Sequence, residues 1–315
     1  MINMGDNELL NVSSNPHIRS AISTGKIMLC VIIALMPATA FGIYNFGYKA
    51  AITVAISVVT CVITELICCL LFKKKISIGD LSAVVTGLLL GLNMPPAAPF
   101  YLPIIGGIFA IFVIKMLFGG IGQNIMNPAL GARCFLVISF PAAMTNFVCD
   151  AYSGATPLAK IRAGEETELL DMIVGRTSGT IGETSMIAIL IGAIFLLLVG
   201  VIDMIVPMTY IFTFIVFMGI FAGYGFNSYY LVSQLAGGGL MLGAWFMATD
   251  YVTRPVTKAG QIVFGIILGL LTGIFRVFGA SVEGVSYSII IANLLVPLIE
   301  RITYPKSFGR GGERR

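Results

Sequence analysis

Of all its segments, Asp150-Ala151-Tyr152-Ser153-Gly154-Ala155-Thr156 has the residue types and spacing best suited to carrying a covalently attached group. Thr156 offers a hydroxyl nucleophile. Gly154 and Ala155 remove side-chain bulk beside it, so that a large planar group and a modifying enzyme could approach the backbone. Asp150 lies six residues earlier, placed to orient a donor or a metal-bound phosphate. The same residues also fit a plainer description, a turn at Ser153-Gly154 followed by a loop that ends at Pro157. Residue chemistry alone leaves both open.

Few other side chains invite chemistry. The six cysteines, at 30, 61, 68, 69, 134 and 149, show no C-x-x-C spacing, so no metal or iron–sulfur site is expected from this chain alone. The single histidine, His17, joins no Ser/His/Asp arrangement, and no catalytic residue is assigned. Charges inside apolar runs are rarer and more telling, because each costs at least about 2.5 kcal/mol in hydrocarbon. Glu65 and Arg133 are such charges; for Glu65 a functional role stands beside pairing to another span or to a partner subunit, and the role of Arg133 is left open. Lys115 and Arg276 lie near run ends and are expected to snorkel to an interface.

These residues sit in a chain that is 57% hydrophobic and 11% charged. That composition describes an all-α polytopic membrane protein, since a soluble domain of this size needs about a quarter charged residues. Ten apolar runs are long enough, or nearly so, to cross about 30 Å of hydrocarbon. Five precede the polar stretch: 27–46, 50–72, the shorter 81–94, 100–118 and 129–147. Five follow it: 186–202, 204–221, 231–247, 262–278 and 286–302. They lack period-2 alternation, which favours helices over strands.

Lys and Arg in the short loops set the orientation. Lys73-Lys74-Lys75 in the cytoplasm after the second run puts both termini inside, with a cytoplasmic segment 1–26 and a basic tail 304–315. A first five-helix unit spans 27–148 and a second spans 186–303. The loop 149–185 between them falls outside the membrane, with three basic and six acidic residues. The net charge of +4 is thus topological and gives no ground for a nucleic-acid partner.

Gly87-Leu-Leu-Leu-Gly91 and Gly239-Leu-Met-Leu-Gly243 each lead into a break, 152 residues apart. Two units with an odd number of spans insert in opposite orientations, the architecture of inverted repeats. Short or Gly/Pro-interrupted spans at matching places point to a functional centre, because broken helices present backbone groups to a ligand. Here these are the third run, ending at Asn93-Met94-Pro95-Pro96, and the eighth, with Gly237-Gly238-Gly239 and an end at Thr249-Asp250. The expected pocket between them takes Gly87, Gly91, Asn93, Asn124, Asn127, Gly239, Gly243, Thr249 and Asp250. The glycines equally suit close helix packing, and Asn127 equally suits a cap ahead of Pro128.

Asp150 through Thr156 matches D-x-x-S/T-G-A-T and resembles the recognition motif of flavin transferases. With five spans on each side, and with Phe118-Gly-Gly-Ile-Gly-Gln-Asn-Ile-Met-Asn-Pro-Ala129 and Met247-Ala-Thr-Asp-Tyr-Val-Thr253, the chain resembles the D subunits of Rnf complexes, ion-translocating ferredoxin:NAD oxidoreductases. It is also similar to the B subunits of sodium-pumping NADH:quinone reductases. Those families commonly have Pro where this chain has Tyr251.

The resemblance implies FMN linked through its phosphate to Thr156, making it an FMN phosphoryl threonine, with Asp150, Ser153, Gly154 and Ala155 around it. It implies a multi-pass protein of the bacterial cytoplasmic (inner) membrane, modified by a flavin transferase outside. Its partners would be membrane lipid and the other subunits of a translocase, one of them a second covalently flavinylated subunit. Electron transport would be coupled to Na⁺ or H⁺. The inner pocket is left to riboflavin, another noncovalent flavin, or nothing, with Asp250 and Thr249 as candidates for ion or flavin contact. Rival readings are a quinone-reductase B-type subunit, an inverted-repeat secondary transporter and a scaffold for other redox subunits.

Overall fold

The computed structural model describes residues 23–74, 77–147, 156–165, 167–279 and 284–305. Among these every regular element is helical and none is a strand. α1 (Thr24–Phe46) starts where the Ser23 side chain accepts a hydrogen bond from Lys26 N–H. It stops at Gly47, whose φ of 76° turns the chain directly into α2 (Tyr48–Leu71). α13 (Lys258–Phe278) and α14 (Val285–Thr303) form the other long pair. These four are each long and apolar enough to cross a membrane.

Shorter apolar helices fill the space between them. They are α3 (Ser82–Leu92), α4 (Tyr101–Ile108), α5 (Pro128–Ser139), α9 (Met186–Val199) and α10 (Ile205–Phe221). α4 runs on as a π-helical segment, Phe109–Met116. Small helices α6 (Pro141–Met144), α7 (Pro157–Arg162) and α8 (Leu169–Val174) lie between α5 and α9, and α11 (Ser228–Ala236) follows α10. The long apolar helices make this a polytopic membrane protein.

Two expected single spans are divided. The run 129–147 ends as a helix at Ser139, because Pro141 disfavours helical backbone at Phe140 and opens α6 instead. The run 231–247 breaks after α11 at Gly237-Gly238-Gly239. Gly238 and Gly239 adopt φ of 65° and 67°, a region costly for any side chain. The chain then resumes as α12 (Leu240–Leu242) and a second π-helical segment, Gly243–Met247.

α3 lies at the centre: all of its residues but Val84 are buried, and it packs on α1, α2, α4 and α5. At about 1.5 Å per residue its 11 residues reach only about half way through a bilayer core. α1 packs on α9 and α5 on α14, while α2 on α4 is matched by α10 on α13. In the last pair Gly265, Gly269 and Gly273 face Thr209, Thr213 and Phe217, and any Cβ there would clash, the small-residue seam of close-packed membrane helices. On the adjoining face of α13, Ile262, Ile266, Leu270 and Ile274 are exposed, a stripe suited to lipid.

The C-terminal end of α3 leaves carbonyls with no intrahelical partner. Ile181 N–H donates to Met94 O (3.1 Å) and Gly182 N–H to Leu92 O (2.8 Å). Residues 180–185 are buried, so the end of the polar stretch 149–185 plugs the molecule rather than lying wholly in solvent.

Candidate functional site

Thr156 stands immediately before α7 with extended backbone (φ −61°, ψ 151°), and its side chain makes no capping bond to that helix. It lines a small cavity of about 370 Å³ together with Thr177, Ser178, Glu183 and the broken-helix residues Gly237 and Gly238. The remaining expected attachment residues, Asp150, Ser153, Gly154 and Ala155, lie outside the described residues.

Behind this cavity, Arg133 of α5 reaches three segments at once. Its Nη1 donates to Asn93 Oδ1 (2.8 Å), Glu183 Oε1 (2.8 Å) and Ser286 Oγ (3.1 Å). Arg133 and Glu183 are both buried, a setting in which a charge is tolerated only when paired and hydrogen-bonded. A Cβ on Gly239 would fall 2.2 Å from Glu183 Oε1, so the glycine break makes room for this carboxylate. Asn93 therefore belongs to this charged cluster, and Gly239 to its wall.

A larger cleft of about 780 Å³ opens at the other end of α3. Ser82, Val85, Thr86 and Leu89 of α3 form one wall, and Asn124, Asn127, Phe246, Thr249, Asp250 and Tyr251 are among the others. Its mainly apolar lining with few polar groups suits a small-molecule site. Four of the nine expected pocket residues, Asn124, Asn127, Thr249 and Asp250, meet here. Gly87 and Gly91 instead face Val58 and Val54 of α2, and Gly243 faces Val285. For these three the close-packing alternative describes the contacts.

Asn127 combines two roles. Its Oδ1 caps α5 by accepting from Ala129 N–H (3.1 Å) and Leu130 N–H (3.4 Å), while Nδ2 donates to Met247 O (3.5 Å). Asp250, in the turn beyond the second π segment, accepts from Val252 N–H (3.4 Å) and the Thr253 hydroxyl (3.3 Å). Burial pushes its carboxyl above the usual range, against those two bonds and the nearby Arg254, which pull it down. Tyr251, the departure from the familiar proline, lies under the Arg254 guanidinium at 4.8 Å and lines the cleft.

A model of the NQR2, RnfD, RnfE family matches residues 11–309. The chain belongs to that family. It is 45% identical over 313 residues to the D subunit of the Na(+)-translocating ferredoxin:NAD(+) oxidoreductase complex of Acetobacterium woodii, covering 96% of each chain. It is 39% identical over 319 residues, again 96% of each, to the D subunit of the proton-translocating ferredoxin:NAD(+) oxidoreductase complex of Clostridium ljungdahlii. The D subunit of the ion-translocating oxidoreductase complex of Actinobacillus succinogenes is 33% identical over 96% of this chain and 99% of its own.

In this member of the NQR2, RnfD, RnfE family the intramembrane charges are placed differently from simple snorkelling. Lys115, on the π segment after α4, is 3% exposed. Its Nζ donates to Glu65 Oε2 (2.8 Å) and Ser82 Oγ (2.6 Å), and Ser77 Oγ donates to Glu65 Oε1 (2.5 Å). Arg276 is also buried and donates to the Gln234 carbonyl, to Gln234 Oε1 (3.1 Å) and to Gly237 O (2.9 Å) and Gly238 O (3.3 Å). The carbonyls freed by the glycine break thus take the guanidinium, and neither cation needs the interface. Glu183, Gln234 and Ser286 carry no distinguishing sequence signal; only the fold gives them partners.

Proposed function

We propose that this chain is the membrane electron-carrier subunit of an ion-translocating ferredoxin:NAD oxidoreductase complex, with FMN held through a phosphoester on Thr156. Support comes from family membership and from relatives named as the D subunits of such complexes over nearly their whole length. The observation that carries it is Thr156 itself: a threonine at a helix start whose side chain makes no cap and lines a cavity. Gly237 and Gly238 border that cavity without side chains, which leaves backbone accessible to a phosphate and ribityl chain. When bound, FMN supplies one- or two-electron carriage.

The chain's own residues bind and orient. Arg133 holds Glu183, and through it the 177–185 segment, against the end of α3. At the other end of α3, Asn124, Asn127, Thr249 and Asp250 offer donors and acceptors for the edge of a second, noncovalent flavin such as riboflavin. The two cavities lie at opposite ends of one short buried helix, an arrangement suited to carriage across the core.

This reading takes ten spans as two inverted five-helix units, 27–148 and 186–303, with both termini in the cytoplasm. The 149–185 loop faces the outside of the bacterial inner membrane, with its buried end, residues 180–185, reaching in to α3. The mutual packing of α1 with α9 and α5 with α14 supports this reading, as do the shortness of the third helix and the division of the eighth run into α11 and α12. Its partners are the other subunits, a second covalently flavinylated one among them, with a flavin transferase for maturation. The coupling ion is Na⁺ or H⁺. In the assembled complex, Thr156→Ala abolishes ferredoxin-driven NAD reduction with subunit stoichiometry unchanged; full activity in that variant would refute the carrier role.

A further inference from the structure

Beside the Thr156 cavity is another hollow, of about 510 Å³, and Leu158 of α7 lines both. Its walls include Arg162, Tyr224, Tyr230, Gln234 and Arg276. Tyr224 and Tyr230 stack with centroids 4.4 Å apart at 25°, and Tyr224 is 56% exposed. Arg276 is fixed by the Gln234, Gly237 and Gly238 oxygens and lies over the Phe214 ring at 5.0 Å. Arg162 donates to Gly279 O at 2.9 Å, which holds the end of α7 against the end of α13.

We propose that this hollow seats the isoalloxazine ring of the flavin whose phosphate Thr156 carries. The proposal rests on the attachment reading above and adds where the ring binds. α7 runs from Thr156 to Arg162 and is about 9 Å long, a span that a phosphate and five-carbon ribityl chain can cover. An electron-poor planar ring with a polar edge finds an aromatic wall in the tyrosines. It finds positive charge in two arginines, which favours the reduced, anionic ring. The Thr156 cavity is smaller and holds the Glu183 carboxylate, a poorer match for that ring.

Contact with tyrosine quenches flavin fluorescence by electron transfer from the phenol, and phenylalanine does not donate in this way. The test uses the full chain co-produced with a flavin transferase, native and as Tyr224→Phe/Tyr230→Phe, each measured folded and then denatured. We expect the folded native chain to be quenched, and the variant to lose that quench while its denatured band keeps the native intensity. Arg162→Gln, with both tyrosines kept, should lower the flavin midpoint potential. Equal quenching in both chains with full bands would overturn the ring seat and leave the attachment intact. A native band dark under competent transferase would overturn both. An anionic lipid that co-purifies with the native chain and is lost in Arg162→Gln would also overturn the proposal, giving the hollow to a headgroup.

Discussion

Arg133 Nη1 lies 2.8 Å from Glu183 Oε1, and both side chains are buried. The pair joins α5 to the polar segment that follows Thr156, beside the glycine break between α11 and α12. Removing one partner leaves an uncompensated charge, so Glu183→Ala should destabilise the protein by about 3–5 kcal/mol. Arg133→Met/Glu183→Leu should cost less than that single change. Thermal unfolding in detergent measures both, and a double variant no better than the single would show that the pair is not coupled.

Gly239→Ala places a Cβ 2.2 Å from Glu183 Oε1 at a φ of 67°. Strained backbone alone costs about 1–3 kcal/mol, and the displaced carboxylate adds to it. Lower flavin incorporation per folded chain is the expected readout, compared with Gly200→Ala, whose φ is 75° but which meets nothing within 4 Å. Equal incorporation in the two would contradict the role of the glycine break.

Lys115 and Glu65 should show strong coupling. Glu65→Gln keeps an acceptor for Lys115 but removes the negative charge that compensates the buried ammonium, at a cost of about 3 kcal/mol. In a double-mutant cycle with Lys115→Met, an interaction of about 0.5–3 kcal/mol is expected for residues in one network. Additive effects would contradict the observed pairing.

The Asp250 carboxyl is raised by burial, so its folded pKa exceeds its unfolded value of about 3.9. Protonation then favours the folded state, and this contribution is lost as pH rises from the unfolded value through the raised one. Asp250→Asn mimics the neutral form and should flatten that part of the pH–stability curve. An unchanged slope would show that Asp250 carries no raised pKa in the folded state.

Much of the fold was legible because a bilayer imposes lengths: the runs holding α1, α2, α13 and α14 could be little else. The Gly237-Gly238-Gly239 break was legible for a local reason, since only glycine takes those backbone angles cheaply. The end of α5 was local too, at Phe140-Pro141, but continuous hydrophobicity to Phe147 concealed it. The two π segments left no periodic signal. The burial of Lys115 and Arg276 is hidden from hydropathy, which sees only a charge near a run end, whereas Glu65 and the glycine-break carbonyls that hold them are distant in sequence. At the inner cleft Asn124, Asn127, Thr249 and Asp250 were legible as polar residues beside breaks. Gly87, Gly91 and Gly243 were indistinguishable from packing glycines, because both uses demand the same missing Cβ.

The central claim is covalent flavin on Thr156. Ultraviolet fluorescence of the chain on a denaturing gel tests it most directly, with native and Thr156→Ala forms each co-produced with a flavin transferase. A native band that fluoresces and a dark Thr156→Ala band at equal protein are predicted. A dark native band under competent modification, or a Thr156→Ala band as bright as the native one, would contradict the account.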